Sequence, residues 1–147
     1  MTNASIARSF IIGGIVGIVI ALGVLVIDNR PISGAIPMGL EPSTYRQWYA
    51  ETAKCAQLPE LGYYDIEWYV VPDVADFPTS IGTKIGLWEA ESRGLHRITV
   101  AGLYQDNEMV VKHEMLHSLL NRFGGVEKGH PTLYFEERCH LTWKTWP

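Results

Sequence analysis

Val110-Val111-Lys112-His113-Glu114-Met115-Leu116-His117-Ser118-Leu119-Leu120 carries the strongest local signal in the chain. Val111, Met115 and Leu119 recur at helical spacing, Leu116, Leu120 and Phe123 widen the apolar stripe, and no Gly or Pro interrupts it. The stretch therefore reads as an amphipathic helix. Residues four apart on a helix lie one turn above each other, so His113 and His117 aim two imidazole nitrogens at one point. A tetrahedral Zn2+ needs that of a rigid support. Glu114 sits one residue further round, badly placed to share the ion and well placed to reach a water bound to it.

His113-Glu114-Met115-Leu116-His117 has the pattern H-E-x-x-H and resembles the active-site helix of zincin metallopeptidases. Two histidines on one helix need a further ligand from elsewhere. The metzincin continuation does not fit. Gly124 comes seven residues after His117, and no methionine follows Met115. Two candidates remain open. His130 stands in Gly129-His130-Pro131 after the flexible Gly124-Gly125 pair and is the favoured one; Glu137, twenty residues past His117, matches the spacing of thermolysin-like gluzincins. The layout His113-to-His117, Gly129-His130-Pro131, Phe135 and Cys139 is also similar to that of a group of small bacterial proteins, over about the last forty residues. His96 and His140 are read as structural.

Working outward, Pro42-Ser43-Thr44 reads as a helix start that Tyr45 to Ala56 continues, with Tyr45, Trp48, Tyr49, Thr52 and Cys55-Ala56 along one stripe. Asp65 to Val71 reads as a strand ended by Pro72, Asp73 to Thr83 as a loop, Lys84 to Ala90 as a second strand and His96 to Ala101 as a third. The expected fold class is α+β. With the zincin resemblance it becomes a minimal zincin-like domain over residues 42–147: helix, small sheet, active-site helix and ligand-bearing C-terminal segment. The resemblance further implies that a strand near the metal walls a substrate cleft.

Ahead of this domain stands Phe10 to Ile27, eighteen apolar or glycine residues, after a short tail of residues 1–9. At helical rise such a run spans about 27 Å, the hydrocarbon core of a bilayer. It reads as a single-pass signal anchor, with a signal peptide cleaved near Ser33-Gly34-Ala35 as the rival. Arg8 before the run sets the N-terminus in the cytoplasm and the domain outside. Residues 28–41, rich in Pro and Gly, read as a linker.

At 147 residues and net charge −4, with its basic residues scattered, the chain offers no nucleic-acid surface. The two cysteines, Cys55 and Cys139, are expected to form one disulfide in an extracytoplasmic domain, stapling the first helix to the tail. The expected function is that of a membrane-anchored zinc metallopeptidase. It would hydrolyse peptide bonds of a peptide or protein substrate through a zinc-bound water activated by Glu114, with His113, His117 and His130 on Zn2+. Tyr134, close to His130 in sequence, is a candidate for an added phenolic hydrogen bond at the oxyanion. The competing readings are a non-peptidase zinc hydrolase on a related frame and a catalytically inactive zinc-binding interaction module.

Overall fold

A computed structural model describes residues 32–147. It is an α+β fold built on a four-stranded sheet. The strands are β1 (Ile36–Pro37), β2 (Ile66–Val71), β5 (Gly86–Ala90) and β6 (His96–Ala101), in the spatial order β1-β2-β6-β5. β2 runs parallel to β6, pairing Ile66 with His96 and Val71 with Ala101; β1 and β5 are antiparallel to their neighbours. β2 and β6 are the two central strands, and all six residues of β6 are buried. A β3–β4 hairpin (Phe77–Thr79 and Gly82–Lys84) forms a separate two-stranded sheet.

Two helices cover one face of the larger sheet. α1 (Thr44–Ala56) ends at Gln57, whose left-handed backbone turns its N–H back onto Ala53 and Lys54 carbonyls. α2 (Glu108–Leu119) starts where the Asn107 side chain accepts from the Val110 N–H at 3.1 Å, with Glu108 favourably placed against the helix dipole. It runs on through a wide turn, Leu120–Gly124, that stops at Gly125 with φ 65°.

Of the predicted stripe of α2, Val111, Met115 and Leu119 face the sheet and pack with Tyr45, Tyr49, Trp68, Ile98 and Val100, whereas Phe123 is exposed. Each such large apolar side chain taken out of water stabilises the fold by about 1.5–3 kcal/mol. Leu116 and Leu120 point the other way, into a second core with Ala56, Phe135 and Leu141. That second core holds the C-terminal segment, including a short wide helix Leu133–Arg138, against both helices. Cys55 and Cys139 form a disulfide across the same junction, 84 residues apart in sequence.

Several expectations need correcting. A zincin-like domain behind one transmembrane helix is not what the fold supports. Among the described residues no helix is long and apolar enough to cross a membrane. The longest, α1, has 13 residues, where a bilayer demands about 20. The run Phe10 to Ile27 lies outside the described residues. Ile36 and Pro37, expected within the linker, instead pair with Val70 and Tyr69, and the Met38 N–H donates to the Trp68 carbonyl at 2.9 Å. An edge strand tolerates Pro37 because its missing N–H breaks no ladder further in.

The expected loop from Asp73 to Thr83 contains the β3–β4 hairpin, pinned by fully buried Phe77 in a small core with Val71 and Ala101. The expected strand Lys84 to Ala90 is divided. Lys84 pairs back to Phe77, Gly86 pairs to Val100, and the Ile85 carbonyl between them accepts from the Ala101 N–H.

Candidate metal centre

α2 presents His113 and His117 on one face, and the segment after Gly125 brings His130 over them. The His113 Nε2 lies 2.9 Å from His130 Nε2, and His117 Nε2 lies 3.1 Å from the same atom. All three rings rest on Phe135, with centroid separations of 4.7, 4.8 and 4.8 Å. Phe135 gives the rings an apolar floor and leaves their nitrogens turned toward each other. Sequence spacing alone could not reveal that floor, because Phe135 comes eighteen residues after His117.

The donor set fits a metal ion. His113 Nδ1 lies 2.7 Å from the Leu141 carbonyl, to which only an N–H can donate, so its Nε2 carries the lone pair. Burial pushes the His113 pKa down to about 4 and that of His117 to about 3, and lowers that of His130. Neutral rings are what a cation requires as ligands. Nitrogens about 3 Å apart come close to the edge, about 3.3 Å, of a tetrahedron with zinc-length bonds. Three His at one point can therefore hold a metal ion. Glu137, the other candidate third ligand, is exposed and lies outside this cluster.

Glu114 is 7 % exposed and wedged between α2 and β5. Burial raises its carboxyl pKa to about 8, opposed by the Trp88 main-chain N–H directed at it and by the Lys84 charge. The wedge depends on Gly86. A Cβ there would come within 2.7 Å of Glu114 Oε1 and 2.9 Å of its Cγ. A glycine inside an alternating strand marks such a close approach, and this was the signal in the sequence for the neighbour of Glu114.

The histidines and Glu114 open onto a cleft of about 1190 Å³. One wall is β5 from Gly86 to Ala90, the edge strand of the sheet; α2 forms the floor and residues 127–130 the far rim. Tyr134 does not line this cleft. Its ring belongs to the second core with the Arg138 guanidinium 5.2 Å above it, so the oxyanion role expected of it has no geometric basis. His140 is exposed, at φ 52°.

His96 is buried beneath the site with its Nδ1 2.7 Å from the Ser118 hydroxyl. Burial, with the Arg122 charge second, depresses its pKa to about 4. A histidine whose folded pKa lies below its unfolded value of about 6.5 contributes stability that is full above pH 6.5 and lost as pH falls toward 4. The loss amounts to about 3 kcal/mol at most. In the metal-free protein, His96→Gln is expected to flatten the stability slope across that window in denaturant titrations. An unchanged slope would assign the acid sensitivity to His113 and His117.

Compared with family models, curated proteins and solved structures, the chain matches none.

Proposed function

We propose that this chain is a zinc-dependent hydrolase that cleaves peptide bonds in an oxidising, extracytoplasmic setting. The observation that carries the reading is the convergence of three neutral imidazole nitrogens, 2.9 and 3.1 Å apart, beside a buried carboxyl on the same helix turn. His113, His117 and His130 would hold the ion. When bound there, zinc supplies Lewis acidity, acidifying a water and polarising a carbonyl.

Glu114 does the proton work. Its carboxyl is packed against Gly86, which restricts its position before substrate arrives. A cation held by the adjacent histidines would lower its raised pKa, the direction that suits a general base. It takes a proton from water and returns it to the leaving amine.

The β5 edge bordering the cleft favours an extended polypeptide, because unpaired edge N–H and C=O groups pair with a strand of substrate. The Cys55–Cys139 disulfide supports the oxidising setting.

The test is metal analysis of the purified full chain followed by a peptide-library assay. We expect roughly one zinc per chain, lost with His113→Ala, His117→Ala or His130→Ala and kept with Glu137→Ala. Cleavage should stop on chelation and return with zinc. Bound zinc with no cleavage across the library would leave a zinc-binding module and remove the enzyme.

A further inference from the structure

His113 and His117 are oriented by different means. His113 is fixed through Nδ1 by the Leu141 carbonyl. His117 has no such acceptor on its Nδ1 among the described residues; instead the Trp88 indole lies nearly parallel to its ring, 15° between planes and 5.9 Å between centroids. The same indole stands edge-on to His96, at 82° and 5.3 Å. His96 in turn is held by Ser118, which is fully buried and follows His117 in the chain. The four side chains close a ring: helix α2, central strand β6, edge strand β5, and back to α2.

We propose that Trp88 is the positioning residue of the metal centre, its indole face setting the plane of the His117 imidazole. This deepens the zinc-hydrolase reading and rests on it. An imidazole free to rotate about its Cβ–Cγ bond sweeps Nε2 out of the ligand position. A flat surface alongside the ring blocks that rotation without a hydrogen bond, and the Ser118–His96 pair keeps the surface from tilting. Trp88 sits two residues from Gly86 on β5, so the strand that abuts Glu114 also carries the flat surface alongside His117.

The test compares Trp88→Phe, which keeps a flat ring, with Trp88→Leu, which keeps apolar bulk and loses the plane. Zinc affinity is read by competition with a chromophoric chelator, and ligand geometry by the visible spectrum of the Co2+-loaded full chain. Trp88→Leu is expected to weaken zinc binding about 10- to 100-fold and to shift the Co2+ bands, the range seen when groups that orient metal ligands are removed. Trp88→Phe is expected to bind as the parent does, with the parent's bands. Unchanged affinity and bands in Trp88→Leu would overturn the proposal while leaving the metal site intact. A parent that binds neither Zn2+ nor Co2+ would overturn the zinc-hydrolase reading and this proposal with it.

Should Trp88→Leu fail to fold, Co2+ titration of the parent and Trp88→Phe decides. Quenching of tryptophan emission should fall in the variant, because the indole beside the ion is gone. Equal quenching would place Trp88 outside contact with the bound metal and sink the proposal.

Discussion

Glu114→Gln is expected to lower turnover about 10²- to 10⁴-fold, the usual worth of a positioned general base, while zinc stoichiometry stays at the parent's value. The substitution is nearly isosteric, so the contact with Gly86 and the packing between α2 and β5 survive. What disappears is the capacity to accept a proton. His113, His117 and His130 are untouched, and the hydrogen-bond partners of their rings do not include Glu114. The measurement is kcat on the best library peptide beside metal content of the same sample. Zinc retained with activity unchanged would move the base elsewhere. Zinc lost with activity would mean that Glu114 shapes the ligand set.

The sequence made α2 and its two faces legible because both depend on local spacing. Val111, Met115 and Leu119 face the sheet, and His113 and His117 share the opposite side. The Cys55–Cys139 pairing was equally accessible, since two cysteines allow one pairing. Other features were hidden because they arise from distant segments meeting. Nothing at Trp88 signals that it will lie along His117, since β5 and α2 are far apart in sequence and meet only in the folded protein. Leu141 serves through its carbonyl, which carries no side-chain signature. Tyr134 misled through sequence proximity. The wide turn Leu133–Arg138 puts Phe135 under the histidines and sends Tyr134 to the opposite side, toward Arg138. β1 was obscured by Pro37, a residue that argues against a strand everywhere except at an edge.

Removing the disulfide with Cys55→Ser and Cys139→Ser is expected to cost both stability and metal affinity, and the second loss is the more informative. Cys139 lies between Phe135, the floor under all three histidines, and Leu141, whose carbonyl fixes His113. The bridge anchors that segment to the end of α1, next to the Arg138 bond to the Ala56 carbonyl at 3.1 Å. Closing a loop of 84 residues is worth about 4–5 kcal/mol in the chain-entropy model, an upper figure. A loss of about 3 kcal/mol would lower the melting temperature by roughly 10 °C or more in a domain of this size. Generic destabilisation leaves the affinity of the folded form alone. Loosening the tail instead frees His113 Nδ1 and lifts Phe135, so zinc should bind more weakly even at temperatures where the variant is fully folded. Chelator competition on the folded variant, set beside denaturant titration of the metal-free form, separates the two effects. If stability falls while affinity holds, then Leu116, Leu120 and Leu141 alone suffice to seat the tail, and the bridge serves the fold without serving the metal.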